Sequence, residues 1–209
     1  MVIPVALYCA TGNPGKLAEF RHAAPPGLEL LAAGPLDCPE TGGSFEENAV
    51  QKALYYADHL QAAVFADDSG LEVDALGGAP SIRSARYAGP GATDEENRRR
   101  LVKNLRGVDR PRARFVCVLA LAEPGRLVAT FRGATEGEIL DAPRGAGGFG
   151  YDPLFYYPAL GHTFAELTPE QKHAHSHRGK AFRALLAWLD AHPGLDRATT
   201  VPFASAARP

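Results

Sequence analysis

The chain has 209 residues, of which 45% are hydrophobic and 22% charged, proportions that fit a globular protein able to bury a sizeable core. Lys and Arg number 22 against 24 Asp and Glu, which gives a formal net charge of -2. There is therefore no general basic excess of the kind that a long nucleic-acid-binding surface needs. A small anionic ligand would instead need a local cluster of cations.

The cysteines and the hydrophobic runs indicate the cellular compartment in which the protein works. Cys9, Cys38 and Cys117 are far apart and include no Cys-x-x-Cys pair, which argues against a disulfide framework or a zinc knuckle and favours a reducing compartment. The N-terminal residues are typical of a first strand rather than a signal peptide, and no run reaches membrane-spanning length. We therefore expect a cytoplasmic protein that binds neither membranes nor nucleic acid.

The first predicted elements form a possible phosphate site. An apolar strand over residues 2–9 leads into Ala-Thr-Gly-Asn-Pro-Gly-Lys at 10–16, and a helix begins at about Leu17. The free N–H groups and the dipole of a helix N-terminus favour an anion there, and the lysine of the turn adds a positive charge. The loop is not a Walker A loop, because two residues rather than four separate Gly12 from Gly15. The alternative is a tight turn with a surface lysine.

A second strand is predicted from Leu28 to Ala32, and a helix after Ser44. Ser44 suits the N-cap and Glu47 the reciprocal position of a capping box. The buried side of this helix is predicted to consist of Phe45, Ala49, Ala53, Ala57 and Leu60. Glu47 either caps the helix or supplies a carboxylate to a metal ion, and helical register alone does not choose between Glu46 and Glu47.

The apolar run Val64–Ala66 is followed directly by Asp67 and Asp68, then by Ser69 and Gly70. The pattern predicts a buried strand that ends at an acidic turn. Because neighbouring strand residues point to opposite faces, only one of the two aspartates needs to face a site. A carboxylate in this position suits a Mg²⁺ ligand or a general base, and the alternative is a structural turn.

The middle of the chain predicts a mixed sheet. Residues 71–80 form a turn-rich connection, and a helix begins after Thr93, with its arginines at 98–100 predicted to be mostly a solvated face. Residues 114–121 make the strongest strand, and residues 127–132 form its antiparallel partner after a tight turn. Helical crossovers followed by a hairpin favour an α/β fold with a mixed sheet flanked by helices over a purely parallel sheet.

Two segments near the C-terminus suggest ligand contacts. Residues 145–153 pack four glycines around aromatic residues, which allows close approach to a ligand and stacking on a nucleobase; a flexible surface loop is the alternative. A helix that contains Lys172 begins after Thr168. Three alternating histidines end at His177, a spacing that fits no single helical face and argues against zinc. We interpret His177 and Arg178 as ligand-binding groups at the start of the final helix.

Six motifs in this order resemble the inosine/xanthosine triphosphate pyrophosphatase family over about residues 3–190. They are the segments 10–16, 45–49, 66–71, 84–89, 148–153 and 176–181. The resemblance implies a Mg²⁺-dependent homodimer with an elongated mixed sheet and two lobes around a nucleotide cleft. Its substrates would be ITP, dITP and XTP, and its products a nucleoside monophosphate and pyrophosphate. Residues 1–192 would form the pyrophosphatase domain, and residues 193–209 a loose tail outside the resemblance.

The resemblance also implies roles for individual positions. The phosphates would be held by Thr11, Gly12, Asn13, Pro14, Gly15 and Lys16. Glu47 and Asp68 would hold the metal ion, and Asp68 would accept the proton of the attacking water. The remaining substrate contacts would be Ser69, Phe149, Gly150, Tyr151, Asp152, Lys172, His177 and Arg178. Two positions depart from the family pattern: Ser81 and Arg83 stand where a glycine and an aromatic residue are usual.

Two other function classes fit parts of the sequence. One is a Mg²⁺-dependent phosphohydrolase that acts on pyrimidine triphosphates or sugar phosphates. The other is a non-catalytic nucleotide-binding regulator, which would need the phosphate loop and the cations but has no use for a pair of metal-binding carboxylates.

Overall fold

The computed structural model describes residues 5–192, so the predicted tail at 193–209 lies outside the described residues. The strands are β1 (Val5–Ala10), β2 (Leu28–Ala32), β3 (Val64–Val73), β4 (Arg112–Glu123), β5 (Arg126–Ile139), β6 (Phe155–Tyr157) and β7 (His162–Thr163). The helices are α1 (Pro14–Ala23), α2 (Phe45–Leu60), α3 (Asp94–Asn104), α4 (Pro169–His175) and α5 (His177–Ala191). None of these helices is long and apolar enough to cross a bilayer.

The strands form one seven-stranded sheet in the order β2-β1-β3-β4-β5-β6-β7. β1 pairs in parallel with β2 and β3, as expected for strands joined through α1 and α2, and the remaining pairs are antiparallel. The prediction of a mixed sheet flanked by helices is confirmed. The predicted hairpin is also confirmed, with β4 and β5 both longer than the sequence indicated.

Strand β3 does not end at the acidic pair, and this part of the prediction is wrong. It runs on to Val73, with Asp67 opposite Leu119 and Asp68 opposite Val118 on β4. Charged residues usually end a buried strand because burying an unpaired charge is costly. Here both carboxylates have polar partners from other elements, so the strand continues through them.

The two faces of the sheet at β3 have different cores. On the face covered by α1 and α5, Phe65 and Cys117 pack with Phe20 and Phe182. On the face covered by α2, Val64 and Ala66 pack with the helix alanines and Phe45. Because strand residues alternate, Asp67 lies on the first face with Phe65, and Asp68 lies on the second with Ala66. We call these the α1/α5 face and the α2 face.

The other ends of the long strands carry a third core. Leu71 and Val73 of β3 pack there with Leu101 of α3 and with an aromatic group formed by Phe115, Phe155 and Phe164. The site residues described below lie between this core and the two cores on the faces of the sheet.

Helix α2 closely follows its prediction. Phe45, Ala49, Ala53 and Ala57 are buried, whereas Leu60 is only partly buried. Ser44 is the N-cap and accepts a hydrogen bond from the Glu47 N–H group at 3.1 Å. Small alanine side chains at the contact let the helix axis approach the sheet closely.

The turn-rich connection predicted at residues 71–80 begins only after Val73, because β3 continues to that residue, and two short 3₁₀ helices follow over Asp74–Leu76 and Ser81–Arg86. Ser81 has a φ of 50°, in the left-handed region that glycine adopts most easily. This backbone conformation explains why a glycine suits position 81 in the family pattern. The Ser81 carbonyl accepts a hydrogen bond from the Ser84 hydroxyl at 2.6 Å, which holds the turn.

Candidate active site

A cavity of about 250 Å³ opens where the β1–α1 turn, β3, the glycine loop at 145–153 and the start of α5 meet. Its polar lining consists of Thr11, Asn13, Lys16, Glu40, Lys52, Asp68, Ser69, Ser84, Arg86, Asp94, Tyr151, Asp152, His177 and Arg178. Four cations and four carboxylates therefore converge on one concave surface. Such a surface suits a small ligand that carries negative charge, together with a divalent cation.

The β1–α1 turn forms the end of the cavity that best suits an anion. Asn13 caps α1, its side chain accepting a hydrogen bond from the Lys16 N–H group at 3.1 Å, and Pro14 is the first helical residue. The positive end of the α1 dipole thus points into the turn, as the sequence predicted. Gly15 allows a close contact: a Cβ atom there would lie 2.7 Å from the Phe149 ring.

Asp68 reaches the cavity from the α2 face. Its Oδ2 accepts a hydrogen bond from the Asn48 side-chain amide at 3.1 Å, and its Oδ1 from the Ser69 N–H group at 3.1 Å. Burial raises the pKa of the Asp68 carboxyl to about 6, although Lys16 and Lys52 act in the opposite direction. A carboxylate that titrates this close to neutrality can both accept a proton and bind a cation.

Asp67, the neighbouring residue, is not part of the cavity wall and is only 1% exposed. It forms an ion pair with Lys16, its Oδ2 lies 3.8 Å from Arg178 Nε, and the Cys117 thiol donates to the same oxygen at 3.2 Å. Burial alone would raise the pKa of the Asp67 carboxyl, but Lys16 and Arg178 outweigh it and hold the pKa far below its usual range. Asp67 is therefore ionised at any working pH.

A second group of buried charges links α1 to α4 and α5. Glu19 accepts hydrogen bonds from Lys172 Nζ and from Arg178 Nη1, both at 2.5 Å, and Lys172 also donates to Asp152 at 2.5 Å. Burial would raise the pKa of Glu19, but Arg178 and Lys172 lower it below its usual value. Burial raises the pKa of the Asp152 carboxyl despite its contact with Lys172.

The glycine loop is fixed by hydrogen bonds at both of its sides. Asp152 accepts a bond from the Phe149 N–H group at 2.8 Å, Asp94 from the Gly150 N–H group at 2.6 Å, and Arg98 donates to the Gly150 carbonyl at 2.7 Å. The prediction that the arginines at 98–100 form mostly a solvated face holds for Arg99 and Arg100, which are exposed, whereas Arg98 is half-buried against this loop. The Phe149 ring lies within 4.9 Å of Lys172 Nζ and 5.4 Å of the Arg178 guanidinium carbon.

His177 is 3% exposed and stacks on Phe115 at 4.6 Å between ring centroids. Burial, aided by the nearby Arg178, lowers the pKa of His177 well below its usual value, so the ring is neutral. Within residues 5–192, two buried nitrogens lining the cavity lack a hydrogen-bond partner, His177 Nδ1 and Arg178 Nε. Arg178 Nε lies 3.8 Å from Asp67 Oδ2, beyond hydrogen-bond distance.

Most residues implied by the resemblance lie together in this cavity. They are Thr11, Gly12, Asn13, Lys16, Asp68, Ser69, Phe149, Gly150, Tyr151, Asp152, His177 and Arg178. Gly15 and Lys172 instead line a second cavity of about 500 Å³, which shares Phe149 and Arg178 with the first. Pro14 lines neither of these two cavities, because it starts the helix behind the turn.

Glu47, the implied metal ligand, lies outside the cavity. Its carboxylate accepts a hydrogen bond from the Gly43 N–H group at 2.7 Å, one residue before the N-cap, so it caps the loop without completing a capping box. The Glu46 carboxylate also lies outside the cavity lining, and it accepts a hydrogen bond from the Thr130 hydroxyl at 3.0 Å. Glu40, in contrast, lines the cavity together with Asp68 and forms ion pairs with Lys52 and, at 3.9 Å, with Arg86.

Four charged lining residues were not among the predicted site residues: Glu40, Lys52, Arg86 and Asp94. Lys52 carried a usable signal, because it lies one helical turn after Asn48 and so shares its face of α2. Glu40 and Asp94 lie in a loop and at a helix start, where side-chain direction cannot be read from periodicity. No group of three or more His, Cys, Asp or Glu side chains among the described residues is arranged to bind a metal ion by itself.

Comparison with known proteins identifies the family of this chain. Residues 7–188 match the model of the Ham1 family. The chain belongs to the Ham1 family. A curated dITP/XTP pyrophosphatase of Thermus thermophilus is 52% identical over 192 residues, covering 88% of this chain and 92% of that protein. The relative of the same name from Syntrophobacter fumaroxidans is 48% identical over 197 residues, covering 88% and 85%.

Solved Ham1 structures share the fold. The Staphylococcus aureus Ham1 protein superposes with a TM-score of 0.80 at 43% identity, covering 90% of this chain and 99% of that one. The HAM1 protein of Coxiella burnetii superposes with a TM-score of 0.79 at 39% identity, covering 90% and 99%. The family resemblance read from the six motifs is confirmed.

Proposed function

We propose that the protein hydrolyses deaminated purine nucleoside triphosphates, ITP, dITP and XTP, to the nucleoside monophosphate and pyrophosphate, and so removes them from the nucleotide pool. The observation that carries this proposal is one cavity in which a helix N-terminus, four cations and four carboxylates meet an aromatic loop and two buried α5 nitrogens without a hydrogen-bond partner. Membership of the Ham1 family and relatives named dITP/XTP pyrophosphatase support the choice of substrate.

The triphosphate fits the end of the cavity at Thr11–Lys16. The α1 N-terminus supplies oriented N–H groups, and Lys16, Lys52 and Arg178 supply positive charge. These cations matter most as negative charge develops on the leaving pyrophosphate. Ser69, whose hydroxyl accepts a hydrogen bond from Arg178 at 3.0 Å, lies between the phosphate turn and the aromatic loop and suits contact with the nucleotide.

Asp68 is the proposed general base. Its carboxylate lines the cavity, and its pKa of about 6 leaves it ionised at neutral pH yet basic enough to accept a proton. In the proposed step Asp68 takes a proton from a water molecule, the water oxygen bonds to the α-phosphorus, and the bond from that phosphorus to the bridging oxygen of pyrophosphate breaks. Asn48 holds the carboxylate in position for this transfer.

Mg²⁺ is the proposed cofactor, and the donor set fits it. Mg²⁺ in phosphate sites usually takes one or two carboxylates, with phosphate oxygens and water completing the octahedron. Asp68 and Glu40 would hold the ion, which when bound neutralises charge on the phosphate oxygens. Glu47 stays the alternative second ligand that the resemblance implies.

Variants separate these two glutamates. If Glu40 is the second ligand, Glu40→Gln weakens Mg²⁺ binding by about tenfold or more in isothermal titration, and Glu47→Gln leaves the affinity nearly unchanged. The reverse outcome would assign Glu47.

The base fits beside Phe149, where Tyr151, Asp152, His177 and Arg178 meet. Hypoxanthine and xanthine carry a keto oxygen at C6, which can accept hydrogen bonds from Arg178 Nε or from the neutral His177 ring. Adenine places an amine there and would leave buried donors unpaired, a mismatch of the costly kind. Guanine shares the 6-keto oxygen, so other contacts must reject its 2-amino group.

The decisive experiment measures pyrophosphate release with Mg²⁺ from ITP, XTP, dUTP, ATP and GTP in parallel. We expect fast release from ITP and XTP only. Release of orthophosphate, or equal rates on all five nucleotides, would overturn the proposed base recognition. No release from any of them would favour a nucleotide-binding regulator.

We further propose that residues 1–192 act as one two-lobed domain, that the protein forms a homodimer, and that it works in the cytoplasm. The dimer and the two lobes follow from the family resemblance, and the cytoplasmic location fits three free cysteines and a substrate from the nucleotide pool. Light scattering after gel filtration tests the dimer, for which a single species near twice the chain mass of 22.2 kDa is expected.

A further inference from the structure

One residue outside the cavity contacts three of the cations that line it. Lys16 forms an ion pair with the Asp67 carboxylate, Arg178 Nε lies 3.8 Å from Asp67 Oδ2, and Lys52 Nζ donates to the Asp67 carbonyl at 3.2 Å. These three cations come from α1, α5 and α2 respectively. They are distant in sequence, and Asp67 contacts all three.

A buried carboxylate needs such partners. Without partners in the interior, an ionised Asp67 would lose the stabilising hydration that it has in water. Its partners Lys16 and Arg178 would themselves repel one another in a cavity that holds no anionic ligand. The ionised carboxylate of Asp67 therefore holds these two cations close together despite their mutual repulsion.

We propose that Asp67 is a positioning residue, which holds the Lys16 ammonium and the Arg178 guanidinium at the cavity wall without itself contacting the substrate. This inference rests on the proposed function, because it concerns cations assigned to the phosphates and the base. Nothing in the family resemblance described above gives Asp67 a role.

The two cations depend on Asp67 to different degrees. Within residues 5–192, Asp67 is the only ion-pair partner of Lys16, whereas Arg178 is also held by Glu19 at 2.5 Å and by Ser69 at 3.0 Å. Loss of the carboxylate should therefore release Lys16 and leave Arg178 largely in place. The effect should fall on phosphate binding and turnover more than on the choice of base.

Asp67→Asn tests the proposal while keeping the shape of the side chain. We expect kcat/KM for ITP to fall about 100-fold, while the ratio of ITP to ATP turnover changes by less than about threefold. We also expect weaker inhibition by inorganic triphosphate. Tighter inhibition with an unchanged kcat would overturn the proposal, because removing a mere counter-charge makes the cavity more positive and strengthens anion binding.

A double-mutant cycle tests whether Asp67 acts through Lys16. If it does, Asp67→Asn adds less than about threefold to the loss already caused by Lys16→Met, because the two changes remove one interaction. If the fold losses of the two single variants multiply in the double variant, Asp67 and Lys16 act independently and the coupling is contradicted. Cys117→Ala is the matched control: it removes the thiol contact with the same carboxylate, and we expect a lower Tm with kcat/KM unchanged.

A third variant covers the case in which Asp67→Asn does not fold. Lys16→Gln leaves Asp67 without its main partner, so we expect Tm to drop by about 10 °C, more than a surface lysine would cause. An unchanged Tm would overturn the ion pair. This readout does not need activity, so it separates failure of the positioning role from failure of the proposed function, which wild-type pyrophosphate release tests.

Discussion

On the α1/α5 face of β3, Asp67 lies among aromatic core residues and meets Lys16 and Arg178. On the α2 face, Asp68 lies among alanines and meets the neutral Asn48 amide. The same side chain thus has a lowered pKa on one face and a raised pKa on the other. Strand alternation lets two adjacent residues take opposite roles, one fixed in charge and one able to exchange a proton.

The largest expected effect comes from removing the charge on the α2 face. Asp68→Asn should lower kcat for pyrophosphate release from ITP by about 1,000-fold, because the general base is lost. The folded-state pKa of Asp68 lies above its unfolded value of 3.8, so the ionised carboxylate destabilises the fold at pH 7. Without divalent metal, the variant should gain roughly 2 kcal/mol of stability, or about 6 °C in Tm.

The matched control for this prediction is Asp141→Asn, an Asp-to-Asn change at an exposed position away from the candidate active site. We expect it to change neither kcat nor Tm. Near-full turnover by Asp68→Asn would remove Asp68 from its role as base.

Next in size is the loss of a cation from the α1/α5 face. Arg178→Ala should lower the ITP rate by about 100-fold and the weak ATP rate less, because ITP loses a hydrogen bond to its keto oxygen in addition to the positive charge that both triphosphates use. It also leaves Glu19 and Asp67 short of a buried partner, at a cost of about 3 kcal/mol in unfolding free energy. Arg99→Ala, an exposed arginine on α3, is the control. Equal losses on ITP and ATP would contradict the role in base recognition.

A smaller effect tests how tightly α5 packs on that face. A Cβ atom at Gly133 of β5 would lie 2.1 Å from the His177 carbonyl oxygen, so Gly133→Ala must push the start of α5 away from the sheet. We expect a loss of about 2–3 kcal/mol, measured by urea unfolding. At Gly12 a Cβ atom would meet no atom within 4 Å, and Gly12→Ala should leave the unfolding free energy nearly unchanged.

The smallest effect is a pH dependence from His177. The folded-state pKa of His177 is lowered well below the usual 6.5, so below about pH 6.5 the unfolded chain binds a proton at this residue and the folded chain does not. Stability should therefore fall as pH drops below about 6.5, by up to about 1.4 kcal/mol per pH unit from this group. Asp68 acts in the opposite direction, since its protonation between pH 7 and 5 relieves a buried charge.

Comparison of wild type with His177→Phe isolates the histidine contribution. Urea unfolding at pH 7.5, 6.5 and 5.5 should show a shallower loss of stability in the variant, and a phenylalanine keeps the stacking on Phe115. His59→Phe, an exposed histidine, should retain the wild-type slope. Parallel slopes for wild type and His177→Phe would contradict a neutral buried ring.

Sequence patterns predicted those parts of the site whose structure depends on neighbouring residues in the chain. The strand, the glycine turn and a following helix were predicted from the residues, although the helix begins at Pro14 rather than at about Leu17, and the family resemblance identified most of the lining residues. The continuation of β3 through the acidic pair was not predictable in this way. Its cause lies in cations at positions 16 and 178, which meet the strand only in the folded protein.

The two candidate metal-binding glutamates also show what sequence patterns do not determine. Glu47 fits the family motif and the helix register, but its carboxylate bonds to the Gly43 N–H group outside the cavity. Glu40 belongs to an irregular loop whose path is set by ion pairs with Lys52 and Arg86. Periodicity places side chains on helices and strands, and it says nothing about the direction of a carboxylate in such a loop.

The ion pairs between α1 and α5 also bear on how the protein is made. Glu19 and Arg178 are separated by 159 positions, and Glu19 and Lys172 by 153. At ribosomal rates the later partners are synthesised on the order of ten seconds after Glu19. Until then the nascent chain carries Glu19 and Asp67 without their arginine. The site is therefore completed last, and a chain released before residue 178 should be an inactive, readily degraded fragment.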